Sequence, residues 1–277
     1  MDFGLKGKTA FVTGGSRGIG KAAALALAEH GVDVAICGRT RETLDEAVAE
    51  IEAKGARAWA FEADVSRLED IQRFVASATD ASGGGADILI NNAVTSISAP
   101  FDEQTDEDWQ YHINVKLMAY IRCAREVLPY MREKRWGRIV NIGGMTARIA
   151  APLRVTNGIV NAGVANFTKQ LSGQVAGQNI TVNCVHPGFT LTERMLKNFE
   201  RRARDAGVTV EEITTQTVAA IPMGRMIESR DLAKTALYFC SPLADIVTGQ
   251  AIAVDGGSGE AITVSYTHQT LPASDQV

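Results

Sequence analysis

This 277-residue chain has no excess of positive charge, few cysteines and no long apolar run, and each absence removes a class of function. Its 28 Lys and Arg are outnumbered by 32 Asp and Glu, a formal net charge of −4, so the basic footprint that nucleic acid demands is missing. The four cysteines, Cys37, Cys123, Cys184 and Cys240, lie far apart with no CxxC pair. That spacing fits reduced core residues of a cytosolic protein better than a disulfide framework or a zinc site. The start, Met1-Asp2-Phe3-Gly4-Leu5-Lys6-Gly7-Lys8, runs into a strand pattern and not into a secretory signal or membrane span. The expected location is therefore the cytoplasm, with neither nucleic acid nor membrane as a partner.

What remains is an ordinary globular composition, 45% apolar and 22% charged. A chain of this length buries roughly three quarters of its unfolded surface, so its core needs no metal or disulfide. Short apolar or β-branched runs alternate with helical patterns. Strands are expected at Thr9–Thr13, Asp33–Cys37, Arg57–Glu62, Asp87–Ile90, Arg138–Ile142 and Ile180–Val185. Helices are expected at Ile19–His30, Arg41–Lys54, Leu68–Ala81, about Asp106–Glu133 and about Val155–Val175. Parallel pairing with right-handed crossovers follows, hence an α/β doubly wound sheet covered on both faces. No linker or repeat divides the chain, and Ser82-Gly83-Gly84-Gly85 reads as a surface turn. From Phe189 to Arg225 the rhythm breaks, around the charged run Glu200–Asp205 and the apolar Phe189, Met195 and Phe199. Insertions near the carboxyl ends of strands are where such folds place substrate lids.

Between the first strand and helix stands Thr13-Gly14-Gly15-Ser16-Arg17-Gly18-Ile19-Gly20. Glycines there let the backbone turn tightly and approach a pyrophosphate, which rests on the helix N-terminus. The spacing TGxxxGxG resembles that of the short-chain dehydrogenases/reductases, and further matches run from about Leu5 to Gly257. Asp64-Val65 resembles the pair at the adenine, and Asn91-Asn92-Ala93 resembles the motif after the fourth strand. Pro187-Gly188 resembles the loop at the nicotinamide, with Thr190 at its carboxamide, and Val254-Asp255-Gly256-Gly257 resembles the closing strand. Val94 departs from the usual glycine.

The resemblance implies a single-domain, Rossmann-like doubly wound parallel sheet with flanking helices over 1–260, a lid at about 189–225, and a C-terminal tail at 261–277. It implies a nicotinamide cofactor held by Gly14, Ser16, Arg17, Gly18, Ile19, Gly20, Asp64, Val65, Asn91, Ala93, Pro187, Gly188 and Thr190. NADP(H) is expected over NAD(H), because Gly38-Arg39-Thr40 lacks the acid that would bind a ribose diol. Arg39 with Arg17 would clamp the 2′-phosphate, or both arginines simply face solvent. A homodimer or homotetramer through the long helices is also implied.

The family's catalytic residues are a serine, a tyrosine, a lysine and a helix asparagine. Only the asparagine survives, as Asn114; the other three positions fall on Gly144, Asn157 and Asn161. A carboxamide has no accessible pKa near neutrality, so Asn157 cannot exchange protons as a phenol does. Asn161 can still bond the cofactor ribose. The literal YxxxK at Tyr130–Lys134 lies before the fifth strand and is read as a decoy. His186 is the best-placed alternative proton donor, or else a strand-end residue packed beneath the cofactor. Thr146, Thr156 and Ser96 reach the cleft but are poor acids, and His112 points elsewhere. Arg148 and Arg154 flank the altered segment and would fit an anionic small-molecule substrate. Three functions stay open: an atypical NADP(H)-dependent oxidoreductase acting on a small carbonyl or alcohol, a non-redox lyase or isomerase, and a catalytically silent NADP(H)-binding sensor or partner subunit.

Overall fold

The computed structural model describes residues 2–259, and the expected tail at 261–277 lies outside them. Seven strands form one parallel sheet: β1 (Thr9–Thr13), β2 (Asp33–Gly38), β3 (Ala58–Glu62), β4 (Ile88–Asn91), β5 (Gly137–Ile142), β6 (Ile180–Pro187) and β9 (Ala251–Val254). Their order is β3-β2-β1-β4-β5-β6-β9, so the winding direction reverses between β1 and β4. Every residue of β1, β4 and β5 is buried, as a sheet covered on both faces requires.

One face carries α1 (Gly18–Ala28), α2 (Arg41–Glu52) and α9 (Ser229–Cys240), which bury Leu27, Leu44, Ile51 and Leu232 against Val34 and Ile36. The alanines Ala23, Ala24, Ala233 and Ala236 are buried on the two contacting helices α1 and α9, where small side chains permit close approach. The other face carries α3 (Leu68–Ser82), α5 (Ala119–Glu133) and α6 (Val155–Val175), with Ile71, Phe74, Val127, Met131 and Val164 in a second core. All four cysteines are free and buried in these layers.

The expected elements up to β6 lie within about two residues of the observed ones. Three differences are informative. First, the long helix at Asp106–Glu133 is three pieces: α4 (Asp106–His112), a π-helical turn at Ile113–Met118, and α5. Single π turns widen a helix locally and are frequent at functional sites. Second, the closing strand ends at Val254, where it was expected to begin, because Gly256 and Gly257 turn the chain with φ of +64° and +84°. Third, the region after β6 is an ordered insertion. It folds into β7 (Thr190–Leu191), α7 (Glu193–Ala206), α8 (Val210–Ala219) and β8 (Ile227–Glu228), with β7 and β8 pairing in parallel. Phe199 of α7 is fully buried in the first core beside Ala203 and Ile213, so the charged run rides on an anchored helix.

Replacing Phe199 by Ala should therefore cost about 3–5 kcal/mol in urea unfolding, the range for a truncated core phenylalanine. A loss under about 1 kcal/mol would show that α7 is not anchored through this ring.

Candidate active site

The carboxyl ends of β1 and β4, where the winding reverses, are tied by Thr13 and Asn92. Thr13 Oγ1 accepts the backbone N–H groups of Asn92 and Ala93 at 3.0 and 3.2 Å. Asn92 Nδ2 donates back to the carbonyls of Thr13 and Gly14 at 3.1 and 3.0 Å. This clasp holds the glycine loop so tightly that side chains do not fit. A Cβ on Gly20 would stand 2.3 Å from both Gly14 O and Asn92 Nδ2, and one on Gly15 would meet Ile36 at 2.6 Å. Helix α1 then begins at Gly18 with no side-chain cap and no acid in its first turn, leaving its first N–H groups for an anionic ligand. The loop therefore fits a dinucleotide pyrophosphate. Ser16 lies against Gly38 at the end of β2, the Cβ of a substituted Gly38 falling 3.4 Å from Ser16 Oγ.

The remaining expected cofactor residues divide. Ile19 packs partly on the core beneath the loop, and Ala93 packs partly against the second core. Val65 is buried. Asp64 is half-buried and accepts the Ser66 N–H at 2.9 Å. Gly188 passes so close to Asp255 that a Cβ would stand 2.6 Å from its Cα, and Thr190 donates to Gly188 O at 3.1 Å. Val94 is tolerated without the left-handed backbone that would require glycine. Asn91 is a correction. It is fully buried and donates to Asn141 Oδ1 at 2.9 Å; Asn141 in turn donates to Thr168 Oγ1 at 2.9 Å. Neighbours on a strand face opposite ways, so Asn91 braces β4, β5 and α6 while Asn92 serves the loop. The two-arginine clamp is likewise not assembled. Arg17 bridges to Glu193 of α7 at 3.3 Å, and Arg39 donates to Tyr111 Oη at 3.2 Å.

Gly144, Asn157 and Asn161 do come together. A Cβ on Gly144 would stand 2.5 Å from Asn161 Nδ2. Asn161 Nδ2 donates to Thr146 Oγ1 at 2.8 Å, and Asn157 Nδ2 donates to Ser96 Oγ at 3.0 Å. The Oδ1 atoms of Asn157 and Asn161 and the hydroxyl of Thr156 are buried without partners among the described residues. Buried acceptors of this kind are costly until a donor arrives. Asn114 lies in the π turn, with its Oδ1 at 3.5 Å from Arg122 Nη2. The Tyr130–Lys134 pair is remote: Lys134 bonds Gly85 O and Asp87 at the opposite end of the sheet.

His186 is corrected as a proton donor. It is fully buried, its Nδ1 accepts the Gly144 N–H at 3.0 Å, and burial pushes its pKa down to about 4. The ring is neutral with its proton on Nε2, a support beneath the loop. His112 is also buried, and burial pushes it down to about 4 with Lys116 adding to the effect. Arg148 is committed to the carbonyl of Ala251. One group that the sequence reading missed stands here. Lys116, in the π turn, is buried and donates to Gly143 O at 2.8 Å; burial first and the charge of Arg194 second lower its pKa to about 7. A lysine inside the apolar run Val115–Ala119 is the signal that marks it.

Comparison with known proteins agrees with this geometry. A family model described as Enoyl-(Acyl carrier protein) reductase matches residues 14–259. The chain is 34% identical over 253 residues to the 3-oxoacyl-(acyl-carrier-protein) reductase FabG of Vibrio cholerae, covering 91% of this chain and 98% of that one. Among solved structures it resembles L-sorbose reductase from Gluconobacter frateurii complexed with NADPH and L-sorbose, with TM-score 0.90, 32% identity, and coverage of 95% and 100%. An NAD+-bound xylitol dehydrogenase is similar at TM-score 0.85 and 25% identity, covering 91% and 99%.

The two neutral imidazoles give a pH signature. Folded pKa values near 4, below the ordinary 6.5, mean that their stability contribution is complete above pH 6.5 and is lost as pH falls towards 4. The urea midpoint should drop across that window. His186→Asn, which keeps an acceptor for the Gly144 N–H, should flatten the slope, and an unchanged slope would contradict a buried neutral His186.

Proposed function

This chain belongs to the short-chain dehydrogenase/reductase family of oxidoreductases, and we propose that it uses NADP(H) to interconvert a small carbonyl and its alcohol without the family's tyrosine–lysine pair. The glycine loop clasped by Thr13 and Asn92 is the observation that carries the reading, since a Cβ on Gly15 or Gly20 would collide with its neighbours and the loop ends on an uncapped helix N-terminus. When bound, the cofactor supplies the hydride or accepts it. Gly14, Ser16, Gly18, Ile19 and Gly20 would lie along the pyrophosphate, and Pro187, Gly188 and Thr190 beside the nicotinamide. Arg39, exposed after β2 with no acid beside it, is the residue for a 2′-phosphate. The NADPH-complexed sorbose reductase supports that preference, while the NAD+-bound xylitol dehydrogenase shows that the fold accepts either form.

In this reading the buried, partnerless Oδ1 atoms of Asn157 and Asn161 would turn into the cleft to accept a hydrogen bond from a hydroxyl of substrate or ribose. They orient but exchange no proton. General acid–base catalysis is worth about 10²–10⁴-fold, so turnover with proton delivery by water is slow for the family. A second reading, NADP(H) binding without turnover, is favoured by the same pair of amides, each already donating to a hydroxyl. Titration with NADPH followed by a ketone and aldehyde panel in the same cuvette separates the two.

NADPH should bind more tightly than NADH, with Arg39→Asp erasing or reversing the order; wild-type preference for NADH would refute the cofactor assignment. Restoring serine, tyrosine and lysine at 144, 157 and 161 together should raise carbonyl reduction by about 10²-fold or more. The changes belong together, because a side chain on Gly144 collides with Asn161 as it stands. Failure to gain on any member of the panel would mean that the cleft itself has changed use.

A further inference from the structure

The strand order β3-β2-β1-β4 places β1 and its glycine loop between the carboxyl ends of β2 and β4. One side-chain contact spans that interval. Arg39, the residue after β2, donates from Nη1 to Tyr111 Oη at 3.2 Å, and Tyr111 lies on α4, the first α-helix after β4. Both side chains spring from fixed backbone. Just before Arg39, the Gly15 N–H donates to Cys37 O at 3.2 Å and the Ala63 N–H donates to Gly38 O at 2.8 Å. These bonds tie the end of β2 to the glycine loop on one side and to the segment leading into Asp64-Val65 on the other. Helix α4 opens on a capping box, in which Thr105 Oγ1 accepts the Asp108 N–H and Asp108 Oδ2 accepts the Thr105 N–H, both at 3.2 Å. Its last residue, His112, is buried. Arg39 and Tyr111 themselves stay open to solvent, where a ligand can reach them.

Arg39 has a partner unlike those of other arginines on this chain. Arg17 meets Glu193 at 3.3 Å, Arg41 meets Asp45 at 3.0 Å and Arg57 meets Asp33 at 2.7 Å. Each of those guanidiniums is matched to a carboxylate that an incoming phosphate would have to displace. Among the described residues Arg39 has no carboxylate partner, and what it meets is a phenol hydroxyl. A hydroxyl restricts the long side chain without neutralising it, and one bond leaves the rest of the five-donor fork free. Ordering a side chain before its ligand arrives lowers the cost of binding. We propose that Tyr111 is a specificity-determining positioning residue of the cofactor site: by holding Arg39 across the crevice, it presets the guanidinium for the ribose 2′-phosphate of NADP(H). The inference rests on the NADP(H) reading of this site, and adds to it a residue from α4.

Fluorescence titration of the full chain with NADPH and with NADH tests this on wild type, Tyr111→Phe, Arg39→Ala and the double variant, each first checked for an unchanged melting curve. Phenylalanine removes only the hydroxyl. It should weaken NADPH by roughly three- to tenfold while NADH holds within about twofold, so that the preference between them shrinks. In the Arg39→Ala background the same change should move NADPH by less than about twofold, because Tyr111 acts through the guanidinium. A merely structural role would lower both cofactors together and leave their ratio where it was. The proposal is overturned if Tyr111→Phe leaves NADPH affinity unchanged, or weakens NADPH and NADH alike, which would put the ring against the part common to both. It is overturned equally if the hydroxyl matters as much without Arg39 as with it. A wild type that takes NADPH no more tightly than NADH sinks the cofactor reading and this inference with it. A wild-type preference that survives Tyr111→Phe in full sinks the inference alone.

Discussion

The structure turns on the two asparagines at the carboxyl end of β4, Asn91 and Asn92. A sheet that reverses its winding opens a crevice between the carboxyl ends of two neighbouring strands, and a crevice needs something to keep its lips apart and in register. Asn92 does this from the loop side by holding the carbonyls of Thr13 and Gly14. Asn91, facing the other way, locks β4 to β5 and, through Asn141 and Thr168, to α6. Hydrogen bonds in this dry interior are strong and expensive to leave unmade, so the pair fixes both walls of the crevice at once. The glycine loop is tight because Asn92 stands against it, and the Asn157–Asn161 face of α6 is placed because Asn141 reaches it.

The sheet and its helices were legible because both signals used, continuous apolar strands and helical periodicity, come from burial on two faces. The single glycine-loop motif was legible for a different reason, since few backbones tolerate its geometry and its position after a strand is restrictive. Helix α9 carries its own signal in Leu232, Ala233, Ala236, Leu237 and Cys240 at helical spacing. Its role as partner of α1 is tertiary and invisible in one dimension. Side-chain direction was the weakest inference. Asn91 and Asn92 are adjacent letters with opposite jobs, and His186 sits at a strand end that looks like a cleft but points inward. The partners of Arg17 and Arg148 come from segments far away in sequence, Glu193 and Ala251. No local pattern announces them.

The electrostatics of the cleft follow from what surrounds it more than from what lines it. Burial keeps His112 and His186 neutral and brings Lys116 down to about 7, so positive charge in this region is penalised wherever it is enclosed. The amides at 157 and 161 fit the same pattern, polar groups that hold position without altering charge.

The buried cysteines have a practical consequence. Burial raises Cys37 and Cys240 to about 12 and Cys184 to about 11, and pushes Cys123 well above the ordinary thiol range, so in the native state none presents the thiolate that alkylating reagents attack. Reaction must wait for the chain to open. Since the four thiols occupy β2, α5, β6 and α9, their alkylation rates are separate clocks on separate parts of the molecule, built in without any label. Whether the helical layers on the two faces open together or in sequence is written in the order in which those clocks run.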